Sequence, residues 1–217
     1  MTKEKTYDKI TTVINNSCYV LNGEILPAKK IVSREEIINT AVEIVSERGI
    51  GALNMRTLAK MCNCSTQPIY LSFENAEELK KQTAIKALEI FNDYLQKEIA
   101  EGKYPEYKAV GMGYIRFAKE KKELFKFLLM NDGMEKTGLA NKSFDDSVFM
   151  IMQNYGLYRG DASKLHLQMW VFIHGIASMF ATDYSDFNWD FVSQMVTDAY
   201  KAFFSRLQEE KKEKSDN

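Results

Sequence analysis

Residues 53–79, Leu-Asn-Met-Arg-Thr-Leu-Ala-Lys-Met-Cys-Asn-Cys-Ser-Thr-Gln-Pro-Ile-Tyr-Leu-Ser-Phe-Glu-Asn-Ala-Glu-Glu-Leu, constrain this chain more than any other stretch. They read as two short helices, over 55–62 and 66–73, joined by a tight turn. Asn54 stands where an N-cap is needed, its side chain ready to accept from the free amides of the first turn. Asn63 follows the first helix, and asparagine is the residue after glycine best suited to a left-handed turn position. Ser65 is placed to cap the second helix. A short helix, a left-handed turn and a capped second helix predict a helix-turn-helix, the unit that lays its second helix in a DNA groove.

A third helix precedes this pair. Ser33 with Glu36 three residues on has capping-box spacing. Ile37, Ile38, Ala41, Ile44 and Val45 recur at helical period, and Gly49 ends the run. The three helices predict a bundle with a core of Ile38, Ala41, Val45, Leu58, Ala59, Ile69 and Phe73.

Over about 34–79 the chain resembles the TetR family of bacterial repressors. Ala41, the Glu47-Arg48-Gly49 ending, Leu58-Ala59, Ser65, Tyr70, Phe73 and Leu79 fall at matching spacing. Three positions depart from the family pattern. Asn63 replaces a turn glycine, Ser72 a common histidine, and Ala76 the lysine that opens the next helix and meets a phosphate. The resemblance implies an N-terminal reading head, a C-terminal helical bundle enclosing an effector pocket, and a transcription regulator rather than an enzyme.

The chain has 217 residues, 45% of them hydrophobic and 27% charged, the make-up of an ordinary globular protein with enough length for a real core. Net charge is −1, so no overall basic field draws nucleic acid in. Residues 1–73 carry nine Lys/Arg against seven Asp/Glu, a small bias of the sign expected for DNA binding. The cysteines, Cys18, Cys62 and Cys64, are sparse and odd in number, which fits a reducing cytoplasm. Cys62 and Cys64 read as packing thiols; a C-x-C with no nearby histidine makes a poor metal site. No signal peptide is visible, and the longest apolar stretch, 169–181, is shorter than the ~20 residues that cross a bilayer. A cytoplasmic protein without a membrane partner is expected.

The rest of the chain divides into an N-terminal extension (1–30), the reading head (31–75) and an effector-binding and dimerisation region (76–217). In the extension, Asn22-Gly23 between Cys18-Tyr19-Val20-Leu21 and Glu24-Ile25-Leu26 is a hairpin signal over 18–26; a disordered tail is the other reading. From residue 76 the pattern is helical: a long helix over 76–100 capped by Asn75, one from about 105, an apolar one over 121–130, and others near 144–155, 161–182 (capped by Asp161) and 188–210. The fold class is all-α, with nine helices.

A recognition helix must present short polar side chains at its N-terminal face, because base edges lie on the groove floor. Thr66 and Gln67 hold that place, and Gln67 can pair with adenine through two bonds. Arg56 and Lys60, one turn apart, suit phosphates. Lys29 and Lys30 form either a basic arm or a solvated linker. The family resemblance adds Ser65, and places the Tyr70 hydroxyl on a phosphate. One such helix reads too few base pairs, so a homodimer on a palindromic double-stranded operator is expected.

Dimer contacts are expected from Ala177 and Ala181, on a small-residue stripe, and from Phe191, Met195, Ala199 and Phe203 on the last helix, together making a four-helix interface. Phe91, Tyr94, Tyr114, Phe117, Phe127, Met130, Phe149, Met152 and Trp170 supply aromatic and methionine surface for a mainly apolar or aromatic effector. His174 is either a packed histidine or a ligand contact. Trp170, His174 and Gly175 also resemble a tryptophan–histidine–glycine signature of one TetR subgroup. Two histidines on one helix, with no nucleophile elbow, phosphate loop or metal spacing, predict no catalysis, cofactor or metal. The alternative to a DNA-binding repressor is a TetR-like fold that has lost DNA binding and acts as a ligand- or protein-binding module.

Overall fold

The computed structural model describes the backbone of residues 10–14, 18–21, 24–27 and 32–215, and side chains over 32–213. Three short strands, β1 (Ile10–Ile14), β2 (Cys18–Leu21) and β3 (Glu24–Pro27), pair antiparallel in chain order, with Val13 opposite Tyr19 and Tyr19 opposite Leu26. Asn22 and Gly23, where the sequence signals a hairpin turn, and Lys29 and Lys30 lie outside the described residues.

Ten α-helices follow among the described residues, one more than the sequence pattern suggests: α1 (Arg34–Arg48), α2 (Met55–Met61), α3 (Gln67–Ser72), α4 (Ala76–Ala100), α5 (Glu106–Glu120), α6 (Lys122–Phe125), α7 (Gly133–Thr137), α8 (Ala140–Tyr155), α9 (Arg159–Ala181) and α10 (Trp189–Ser215). The extra one is α7. Asn131-Asp132-Gly133 reads as a break, but Gly133 starts a single turn. A Cβ there would collide with the Phe127 carbonyl oxygen, so only glycine lets α7 press against the π-helical segment Lys126–Met130 that continues α6.

Side-chain caps fix the starts of α1, α2, α4 and α10. Ser33 and Glu36 form the reciprocal capping box of α1 (3.1 and 2.9 Å). The Asn75 side chain accepts from Glu78 N at 2.9 Å and that of Asn188 from Asp190 N at 2.9 Å. Asp161 does not cap α9. The helix begins one turn earlier at Arg159, which leaves Asp161 inside its first turn as a carboxylate favoured by the helix dipole.

Two cores share α1. Its Ile37, Ala41 and Ile44 join Val32, Leu58, Ala59, Cys62, Ile69, Phe73 and Leu79 in the head. Val42 and Val45 belong to the larger body core. The head core expected from sequence thus needs two corrections: Val45 points the other way, and Ile38 is only partly buried. An average helical period cannot say which side of a helix buried on two sides faces which neighbour.

At ~1.5 Å per residue the 25-residue α4 spans about 37 Å. It carries Leu79 into the head core and Ala84, Ala87, Leu88 and Phe91 into the body core. Arg34 fastens the junction. Its guanidinium donates to the Ser72 carbonyl at the end of α3 and to Glu78 Oε1 (2.6 Å), and lies 4.5 Å above the Phe73 ring. In the body, buried Glu98 of α4 pairs with Arg116 of α5, whose guanidinium lies 4.4 Å above Trp189 of α10.

Candidate DNA-reading head and effector cavity

In the head, the Asn54 side chain accepts from Arg56 N (3.1 Å) and Thr57 N (3.0 Å) and fixes where α2 starts. Asn63 has φ 51°, the left-handed turn. Around it, Cys64 N donates to Ala59 O (3.0 Å) and Asn63 N to Lys60 O (3.2 Å), the paired bonds of a Schellman motif.

Ser65 makes no cap. The helix takes Thr66 as its N-cap residue, with no side-chain cap bond. The reason lies in Pro68: a cap at Ser65 would want the amide three residues on, and proline has none. Ser65 is instead exposed, beside exposed Gln67 and half-buried Thr66. Tyr70 is 60% exposed, and Leu71, which the polar pattern gave no reason to select, is 80% exposed. Arg56 and Lys60 are exposed on α2. Neither forms an ion pair with a carboxylate among the described residues. Ser72 is turned inward, its hydroxyl donating to Pro68 O at 2.8 Å. The head therefore presents two unpaired cations on one helix and a threonine, a glutamine and a tyrosine on the next.

The second site is a cavity of about 460 Å³ in the body, within the ~300–1,000 Å³ range of small-molecule sites. Phe91 and Leu95 of α4, Tyr107, Val110, Gly111 and Tyr114 of α5, and Leu128 and Leu129 of the π segment form its apolar base. His166, Leu167, Trp170 and Ile173 of α9 form one wall. Asn131, Met134 and Glu135, with Asn141, Ser143, Phe144 and Ser147 of α8, form a more polar one.

Of the ten residues expected around an effector, Phe91, Tyr114 and Trp170 line this cavity. The other seven do not. Phe117 and Phe127 are fully buried core side chains. Tyr94 points elsewhere, its hydroxyl donating to Glu120 Oε2 at 3.0 Å. Met130 and Phe149 are exposed, and Met152 packs on the outside of the core. His174 sits behind the wall: its Nδ1 is 2.7 Å from the Tyr114 hydroxyl and its ring is stacked 5.3 Å from Trp170. Aromatic content alone cannot separate core from cavity lining; it takes the crossing of six elements to leave a gap.

The residues that sequence reasoning missed are chiefly Tyr107 and His166, joined by a hydrogen bond of 2.9 Å. Burial pushes the His166 imidazole down to about 4, holds His174 below its ordinary value, and raises both tyrosines. The available signal was a matched pair: tyrosines seven residues apart on one helix and histidines eight apart on another.

The dimer expectations fare unevenly. Ala177 and Ala181 are fully buried within the chain's own body core and offer nothing to a second copy. Met195, Ala199 and Phe203 are half-buried, and Phe191 is 54% exposed. The open apolar face of α9 is a different one: Leu167, Val171, Gly175 and Met179, at a spacing of four, all exposed.

No protein-family model matches the chain. A stretch of 69 residues is 33% identical to a Haemophilus influenzae protein described as an uncharacterized HTH-type transcriptional regulator, covering 32% of this chain. The match spans only 37% of that relative's length. Solved structures align far more extensively. A TetR-like transcriptional regulator from Rhodococcus sp. RHA1 superposes with a TM-score of 0.61 at 15% identity, over 79% of this chain and 96% of that one. The fold is that of the TetR-like transcriptional regulators. Two other structures with this TetR-like fold are the multidrug binding protein EbrR complexed with imidazole (TM-score 0.55, 15% identity, 76% of this chain and 93% of that one) and BioQ with its double-stranded DNA operator (0.52, 15%, 79% and 99%).

Among the described residues no group of His, Cys, Asp and Glu is arranged to hold a metal, and no helix is long and apolar enough to cross a membrane.

Proposed function

We propose that this protein is a ligand-responsive transcriptional repressor that binds a palindromic operator as a homodimer and is released by a small, mainly apolar or aromatic effector. The observation that carries this reading is the surface of the head: exposed Gln67 and half-buried Thr66 at the start of α3, with unpaired Arg56 and Lys60 on the helix before it. Gln67 and Thr66 take the base edges; Arg56, Lys60 and the Tyr70 hydroxyl take phosphates. Ser65 is free to join them because it caps nothing. Lys29 and Lys30, if they act as an arm, do so from outside the described residues.

The second copy docks on α9 and α10. Leu167, Val171 and Met179 supply apolar surface, exposed Gly175 allows close approach, and Phe191 with Met195 extends the face onto α10. The cavity communicates with the head through α7. Lys136 pairs with Glu77 in the first turn of α4 at 2.9 Å, and Met134 and Glu135 of the same turn line the cavity. The adjacent Glu78 is held by Arg34, which also grips the end of α3. A ligand that favours one position of α7 therefore favours one setting of the recognition helix, and the populations shift accordingly.

Selection from a random-duplex library tests the reading. A palindrome with half-sites about 34 Å apart, or a multiple of that, is expected, bound with a steep loss of affinity as salt rises. Gln67→Ala should relax base preference at one position of each half-site by about 1–3 kcal/mol, whereas Arg56→Ala should weaken all sequences alike. Recovery of no enriched sequence would refute the proposal and favour a ligand- or protein-binding module.

A further inference from the structure

The cavity has a polar focus with a defined polarity. His166 is 9% exposed and lines the cavity. Its Nδ1 is engaged by the Tyr107 hydroxyl at 2.9 Å, which has no other partner among the described residues. A phenol hydroxyl is a stronger donor than acceptor and an unprotonated ring nitrogen is a strong acceptor, so the hydroxyl is assigned as donor and Nδ1 as acceptor. In the neutral ring that places the remaining proton on Nε2. No side chain or backbone group among the described residues pairs with Nε2, and it is not among the buried atoms left without a partner. It follows that the Nε2–H looks into the cavity, where Phe144 packs edge-on against the same ring at 4.9 Å.

The charges around the cavity restrict what can meet that donor. No lysine or arginine lines it. The one ionisable carboxylate, Glu135, is exposed and makes no ion pair among the described residues. A carboxylate or phosphate ligand would enter without a compensating cation and beside a like charge. A cation would find Glu135 only at the exposed side and would meet an Nε2–H that repels it at the buried end.

We propose that the cavity binds an uncharged aromatic molecule bearing a hydrogen-bond acceptor, such as a ketone oxygen, that takes the His166 Nε2–H. The aromatic body lies among Phe91, Tyr114, Leu128, Trp170 and Ile173. Tyr107 is a positioning residue: its hydroxyl fixes the tautomer that makes His166 a donor. The assignment rests on reading this cavity as the effector site and adds the chemistry of its ligand.

A matched set of naphthalene probes decides it: the parent hydrocarbon, 2-acetonaphthone, 2-naphthoate and the 2-trimethylammonium derivative. Binding to the full chain at pH 7 is read by quenching of Trp170, with Trp170→Phe as the control for Trp189. The ketone is expected to bind about tenfold tighter than the hydrocarbon, the worth of one good buried hydrogen bond, and tighter than either charged probe. His166→Phe should bring the ketone down to the hydrocarbon's affinity while leaving the hydrocarbon unchanged. His166→Gln, which keeps an N–H near the Nε2 position, should restore part of the difference, and Tyr107→Phe should reduce it. Hydrocarbon affinity and the melting curve of each variant separate loss of the donor from loss of the fold. Tightest binding by the carboxylate or the ammonium probe, or an unchanged ketone-to-hydrocarbon ratio in His166→Phe, overturns the assignment. The probes bind free protein, so a ketone that binds as described but leaves DNA affinity untouched would refute the effector reading and not the chemistry of the cavity.

Discussion

The reading head and the body are built by different rules. In the head, nearly every boundary is set within a few residues of chain: Asn54 caps α2, Asn63 turns the chain, and Pro68 decides where α3 begins. In the body, the decisive contacts join distant segments, as Tyr107 meets His166 and Glu98 meets Arg116. The head is a short-range object whose surface carries the proposed DNA contacts. The body is a long-range object whose interior holds the cavity. The two are nevertheless joined through α1, which places residues in both cores.

The largest test of that joint is thermodynamic. Leu58 and Phe117 are both fully buried, one in each core. Leu58→Ala should cost about 2–5 kcal/mol and Phe117→Ala about 3–5 kcal/mol in urea denaturation. If α1 welds the two cores, both variants shift one cooperative transition. A head that melts separately in Leu58→Ala would break the comparison at its base.

Acid should act on the body through the two histidines of the chain, both of which lie there. The His166 pKa falls from 6.5 to about 4 on folding because burial disfavours the charged ring. Between these values the unfolded chain binds a proton that the folded chain does not. Stability contributed by His166 is thus full above pH 6.5 and declines as pH falls toward 4, by up to about 3 kcal/mol. His174, also depressed by burial, adds a change of the same sign. Urea midpoints measured across this window should flatten in His166→Phe; an equal slope in that variant would contradict the buried neutral ring.

Smaller effects sharpen the contrast. Asn54→Ala removes the α2 cap and should cost about 1 kcal/mol, felt as weaker DNA binding because α2 carries Arg56 and Lys60. Lys136→Met breaks the link between α7 and α4 without touching either surface. Operator affinity of the free protein should stay within about twofold, while the change in that affinity caused by 2-acetonaphthone should shrink about fivefold or more. An undiminished response would place the coupling elsewhere.

How much of this was legible in the chain follows the same division. Asn54, Asn63, Ser33, Glu36 and Asn75 announce their roles because capping chemistry is local. Ser65 misleads because its role depends on an amide that Pro68 lacks. Ala177 and Ala181 look like an interface stripe, since small residues permit close approach, yet the helices they let in are the chain's own. Phe117 and Phe127 look like ligand wall and are core, while His166 looks like neither. Which face of a body helix meets a neighbour, a cavity or water is settled by the packing of several elements, and no single periodicity encodes it.

The two-faced α1 has a practical consequence. A fragment ending at residue 75 would keep every group proposed to touch DNA, yet it would lose Leu79 and leave Val42 and Val45 in water. The smallest piece able to read an operator and the smallest piece able to fold on its own are therefore different lengths of chain. Transplanting the head onto another sensor would have to carry the opening turns of α4 with it and supply a new apolar partner for the far side of its first helix.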